Sequence, residues 1–150
     1  MNSDGTPHPT WDDLKSAIGS ISVCWSFLEN VMRSQMRKAG MEESIAKGPI
    51  ISHWRTYIRE LAAKSDQSVA ADYLDPVEKV AAARNLVVHG IQSLSVDPWG
   101  EDGAIIVCAG LDGTMHKLTI EMLHDLAREI DRTRLSIQGL YVIARRDGGR

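Results

Sequence analysis

Arg84, Asn85 and His89 place a permanent cation, an amide and an imidazole within six residues of one another. A guanidinium keeps its charge at any physiological pH, an imidazole ordinarily titrates near neutrality, and an amide both donates and accepts hydrogen bonds. Phosphodiester chemistry needs these three properties. It requires a proton carrier, a fixed positive charge for the phosphorane oxygens, and a polar group to hold the phosphate or the attacking hydroxyl. The same residues also have an ordinary reading, in which Arg84 makes a structural ion pair and His89 caps a helix end. Spacing alone leaves both open.

The element that must position them is a helix. Asp75-Pro76-Val77-Glu78 predicts its start, with Asp75 as the cap and Glu78 placed for a capping box, and Gly90 predicts its end as the residue best able to turn left-handed. At about 100° per residue, Val77, Val80, Ala81, Arg84 and Val88 fall on one side, so Arg84 interrupts an apolar stripe. An arginine there must snorkel to water, pair with an acid, or face a cleft or a subunit boundary. Glu78, Ala82, Asn85 and His89 form a second stripe, which makes Asn85 and His89 surface neighbours. His89 also lies in the last turn, where unpaired carbonyls and the negative end of the helix dipole suit a cation, and the long Arg84 side chain reaches the same end.

The surrounding elements follow from periodicity. Leu14, Ile18, Ile21, Trp25, Leu28 and Met32 predict a long helix from Thr10 to Lys38. A second helix starts at Pro49 and carries Ile51, Trp54, Ile58 and Leu61 inward before a polar break at Ser65 and Asp66, and Ser68 to Leu74 reads as a short helical segment. After Gly90 the period changes. Ser93–Val96, Ala104–Ala109 and Met115–Leu118 predict three short strands, separated by turn-forming runs from Asp97 to Gly103 and from Gly110 to Gly113. A last helix from Thr119 carries Ile120, Leu123, Ala127, Ile130, Ile137 and Tyr141 on one stripe. The expected fold is mainly α, a helical bundle with a small β-meander inserted before the last helix. Residues 1–9 are expected as a flexible N-terminus, 10–144 as a single domain, and 145–150 as a flexible tail.

Composition narrows the function classes. With 150 residues, 43% of them hydrophobic, the chain supports one sizeable core. It has no apolar run of membrane-spanning length and a polar, proline-containing start, so the expected location is cytoplasmic, with no membrane partner. Cys24 and Cys108 each sit in an apolar segment, as small buried side chains do in a reducing compartment. The net charge of -3 gives no overall attraction to polyanions, so nucleic-acid binding would need a local patch. Arg33, Arg37 and Lys38, then Arg55, Arg59 and Lys64, then Arg128, Arg132 and Arg134 are candidates, each also readable as a solvated helix face. Glu29 pairs naturally with Arg33 at four-residue spacing. Glu121-Met122-Leu123-His124 has the spacing of a bundle metal motif but lacks the second carboxylate-and-histidine set, so neither metal nor cofactor is expected. Trp11, Trp25, Trp54 and Trp99 read as core or interface packing rather than as base-stacking platforms, with Trp99 in a turn open to exposure.

Arg84-Asn85-Leu86-Val87-Val88-His89-Gly90 at a helix end resembles the R-x4-6-H signature of HEPN domains, including the polar residue after the arginine. The long first helix with Trp25-Ser26-Phe27-Leu28-Glu29-Asn30, the helical framework and the strand-rich excursion before the last helix are similar too, so the resemblance covers most of the chain. It implies a HEPN-like bundle and a metal-independent endoribonuclease whose site forms where two copies meet, hence a homodimer with RNA as partner. His89 would then serve in proton transfer, Arg84 would stabilise transition-state charge and Asn85 would orient the groups, leaving a 2',3'-cyclic phosphate. The resemblance also implies a toxin or defence effector, with an antitoxin or other regulatory protein as partner. Ile91 stands where a subset of toxin members carries a modifiable tyrosine, so regulation by that modification is not expected. The rival reading is a catalytically silent HEPN-like dimer that binds nucleotide or protein, as an adaptor or an antitoxin.

Overall fold

The computed structural model describes residues 1, 4–41, 49–64, 68–97, 99–100 and 103–147, with side chains only as far as Leu140. Among these residues the order is α1 (Trp11–Lys38), α2 (Ile50–Lys64), α3 (Ser68–Tyr73), α4 (Asp75–Gly90), β1 (Ile91–Val96), β2 (Ala104–Ala109), β3 (Met115–Thr119) and α5 (Ile120–Asp147). The chain is mainly helical with one antiparallel three-stranded sheet, ordered β1-β2-β3, ahead of the last helix. No described helix is long and apolar enough to cross a membrane. The predicted break at Ser65 and Asp66, the turn residues Pro98, Glu101 and Asp102, the tail beyond Asp147 and the Tyr141 side chain lie outside the described residues. α5 itself continues past Ala144, the expected end, to Asp147.

Helix ends follow local hydrogen-bond chemistry. At the start of α1, the Asp13 N–H donates to Thr10 Oγ1 at 3.2 Å and the Thr10 N–H donates to Asp13 Oδ2 at 2.7 Å, so two otherwise open amides are satisfied reciprocally. Its far end closes at Gly40, whose φ of 84° is the left-handed turn that favours glycine, while the Met41 N–H reaches back to the Met36 carbonyl at 3.0 Å. Thr119 caps α5 by accepting the Met122 N–H at 3.2 Å.

The capping box expected at Asp75 and Glu78 does not form. The Leu74 N–H donates to the Ala70 carbonyl and the Glu78 N–H to the Leu74 carbonyl, each at 2.9 Å, so the chain passes from α3 into α4 with these amides already satisfied. The Glu78 carboxylate is left for Arg55, whose Nε donates to it at 2.6 Å.

The chain groups into two compact units, Met1–Val23 with Ala82–Arg128 and Cys24–Ala81 with Glu129–Arg150. In the second unit, Trp25, Leu28, Met32 and Met36 of α1, Ile50, Trp54, Tyr57 and Ile58 of α2, Val77, Val80 and Ala81 of α4, and Ile130, Ile137 and Leu140 of α5 are buried. The α2 stripe therefore includes Ile50 and Tyr57, and the predicted Ile51 and Leu61 are only half-buried. Buried Gln35 donates its amide to the Ile137 carbonyl at 3.4 Å. Basic residues on these helices sit in local ion pairs, Arg132 with Glu129, Arg134 with Asp131 and Arg33 with Glu29, and Glu29 also accepts the Trp25 indole N–H at 2.8 Å.

The first unit packs Leu14, Ala17 and Ile21 of α1, Val87 of α4, Ala104, Ile106 and Cys108 of β2, and Leu123 and Ala127 of α5. β2 alternates, with Ala104, Ile106 and Cys108 buried and Ile105, Val107 and Ala109 half-buried, as a strand with one face on a core must. Trp25 and Trp54 are buried packing residues, Trp99 is exposed as its place in a turn allowed, and Trp11 is exposed and outside the core.

Candidate active site

α4 runs without a linker into β1, ending at Gly90 where the strand begins at Ile91. β1 lies against β2 with Ile91 opposite Cys108, and β2 lies against β3 with Cys108 opposite His116. This return of the chain explains the last turn of α4. Val87, not the predicted Val88, is buried there, and Gly90 at the end of the turn lies against the Ala109 carbonyl of β2.

Gly90 is buried but does not adopt the predicted left-handed conformation, and it lies within the helix. Its role is close approach: a Cβ at this position would stand 2.6 Å from the Ala109 carbonyl oxygen and 3.4 Å from Leu86 Cδ1. A backbone oxygen cannot swing aside, so Gly90→Ala is expected to cost about 1–3 kcal/mol in urea unfolding, as overpacking does. Gly19→Ala is the matched control, since a Cβ there meets nothing within 4 Å, and it should stabilise the protein by about 0.5–1 kcal/mol.

Beside this junction lies an open groove of about 740 Å³. Ala82, Asn85, Leu86, His89 and Gly90 of α4 line it, with Ala109 of β2, Gly110, Leu111 and Asp112 of the following turn, and His116 of β3. Asn85 and His89 are exposed and share it, one turn apart as their spacing predicts. Arg84 is half-buried, its Nε is shielded from solvent, and it is not one of the lining residues. It is tied to the groove through Asn85, because Arg84 Nη1 donates to Asn85 Oδ1 at 3.0 Å. A guanidinium only donates, so this bond engages the amide oxygen of Asn85 and leaves its NH2 to donate.

No family model, curated protein or solved structure matches this chain.

Asp112, Gly110 and His116 were not among the candidate residues of the sequence. The turn and the strand that carry them were legible, but their place beside the end of α4 depends on the hairpin return. The turn closes through the Gly110 N–H, which donates to the Thr114 carbonyl at 2.8 Å, and Gly113 takes a left-handed φ of 80°. Asp112 Oδ1 accepts the Thr114 N–H at 3.0 Å. That backbone hydrogen bond, then the Thr114 hydroxyl and, more weakly, the nearby His116 charge hold the Asp112 carboxyl below its ordinary range. Among the described residues, no three His, Cys, Asp or Glu side chains lie close enough together to hold a metal ion, so His89, Asp112 and His116 share the groove without converging on one point.

Neither thiol has the surroundings of a nucleophile. Burial pushes the buried Cys108 up from its ordinary pKa, and burial together with Asp131 does the same to half-buried Cys24, partly opposed by Arg134. A raised pKa lowers the thiolate fraction near neutrality. Both are expected to react with iodoacetamide at pH 7.5 far more slowly in the folded protein than in urea, measured by mass spectrometry, with Cys108 the slower of the two.

Proposed function

We propose that the chain is a metal-independent endoribonuclease of HEPN type, acting as a homodimer in the cytoplasm as a toxin or defence effector. One observation carries this reading: Asn85 and His89 line a single groove, and Arg84 is hydrogen-bonded to Asn85. A phosphodiester in the groove would meet a donor amide and an imidazole on adjacent turns, with a permanent cation attached behind the amide. In this reading His89 removes the proton of the RNA 2'-hydroxyl as that oxygen attacks its own phosphate, Asn85 holds the reacting groups in line, and Arg84 stabilises the charge that gathers on the phosphorane. The products are a 2',3'-cyclic phosphate and a 5'-hydroxyl.

A second reading, a silent dimer that binds nucleotide or protein, draws on the absence of Arg84 from the groove lining and on the largely apolar wall formed by Ala82, Leu86, Ala109 and Leu111. The two are separated by incubating a mixed pool of labelled RNAs in EDTA with wild type, Arg84→Ala and His89→Ala proteins of equal fold and oligomeric state. Cleavage lost in both variants supports the nuclease. An inert wild type, or cleavage unchanged in both variants, moves the assignment to the binding module.

A further inference from the structure

Transphosphorylation needs two proton transfers, one from the attacking 2'-hydroxyl and one to the departing 5'-oxygen, and an in-line displacement puts these oxygens on opposite sides of the phosphorus. His89 of α4 is one carrier, and the other is either the His89 of a second copy, which the homodimer reading brings to the site, or another imidazole of the same groove. We infer that His116 of β3 is the second, giving its proton to the 5'-oxygen while His89 takes the proton of the 2'-hydroxyl. This inference rests on the nuclease reading above and adds a residue to it.

Three observations place His116 for the role. The titratable groups lining the groove are His89 from α4, Asp112 from the β2–β3 turn and His116 from β3, so the two imidazoles reach it from different elements. Among the described residues neither imidazole is hydrogen-bonded, which leaves both rings available to a substrate. The turn brings a carboxylate to the His116 side of the groove: a Cβ on Gly110 would stand 3.6 Å from His116 Nε2 and 2.9 Å from Asp112 Oδ1, so both groups lie on the same side of this glycine.

His116 has a fixed strand position and a charged neighbour. Its strand position is fixed by pairing with buried Cys108 of β2. Asp112, pinned by the Thr114 N–H, supplies a fixed negative charge near His116 without a hydrogen bond to its ring. Asn85 shares α4 with His89, which assigns the attacking hydroxyl to the helix side and the leaving oxygen to the strand side. The step balances: the 2'-oxygen–phosphorus bond forms as the phosphorus–5'-oxygen bond breaks, His89 gains one proton, His116 loses one, and exchange with water restores both.

The test uses two substrates. One is ordinary RNA, whose 5'-oxygen leaves poorly without a proton. The other is uridine 3'-(p-nitrophenyl phosphate), whose phenolate leaves without one. His116→Asn is expected to lose about 100-fold or more on RNA and to stay close to wild type on the aryl ester, while His89→Asn loses activity on both. Retained aryl-ester turnover also shows that the variant is folded. Equal loss by His116→Asn on both substrates, or unchanged cleavage of RNA, overturns the assignment and leaves the nuclease reading intact. A wild type inactive on both substrates overturns that reading and this one with it.

Discussion

In the proposed nuclease, His89→Ala is expected to lower RNA cleavage by about 100- to 10,000-fold, the range over which a positioned acid or base accelerates proton transfer. Because His89 is exposed, the same substitution should leave unfolding free energy within about 0.5 kcal/mol of wild type. Arg84→Ala is expected to lower cleavage by about 100- to 1,000-fold, as loss of one transition-state donor does elsewhere, and to show a structural cost as well. Arg84 is half-buried and holds the Asn85 oxygen at 3.0 Å, so its removal strips packing from α4 and frees the amide to rotate. Arg84→Lys separates these effects, since it keeps a charge and most of the stem but loses the planar fork. Cleavage by Arg84→Lys should therefore recover only in part, while its melting temperature returns most of the way. A variant set in which stability and cleavage fall together, His89→Ala included, would mean that the trio supports the fold and not the reaction.

What the sequence disclosed and what it concealed divide along physical lines. Leu14, Ile21, Trp25, Leu28 and Met32 recur at helical spacing, and a helix with one buried side cannot be written otherwise, so α1 was readable almost to the residue. β2 was readable because Ala104 to Ala109 is an apolar run between two turn-forming segments, but a run apolar throughout did not tell that Ala104, Ile106 and Cys108 would be its buried face. Gly90 was legible as an exception but not as to its kind. A missing Cβ serves a left-handed turn and a close approach equally well, and only the Ala109 carbonyl at 2.6 Å tells them apart. Glu78 had the spacing of a cap, yet the decisive fact was a long-range one, the arrival of Arg55. His116 carried no local signal at all: its value lies in the return of β3 beside the end of α4, a relation set by pairing of Cys108 with its neighbours on both sides. Local chemistry was thus visible wherever it depended on residues within one element. It was hidden wherever two elements had to meet.

Trp54→Ala carries the largest expected cost to the fold, about 3–5 kcal/mol. The Trp54 side chain is fully buried, stacks at a tilt of 52° against Tyr57 with ring centroids 5.4 Å apart, and donates its indole N–H to the Tyr73 carbonyl at 2.9 Å. Truncation therefore leaves a cavity and removes the donor held by that carbonyl near the α3–α4 junction. Trp54→Phe tests the division between the two terms, since it refills much of the ring volume but cannot donate, and it should fall between wild type and alanine. Urea titration followed by far-ultraviolet circular dichroism reads both, provided the slope of the transition is unchanged. The consequence reaches the candidate site through the covalent chain, because α4 begins directly after this junction and carries Arg84, Asn85 and His89 toward its other end. A cost below about 1 kcal/mol for Trp54→Ala would show that the α2–α3 packing does not support the start of α4, whereas the full cost would make that packing the foundation on which the helix stands.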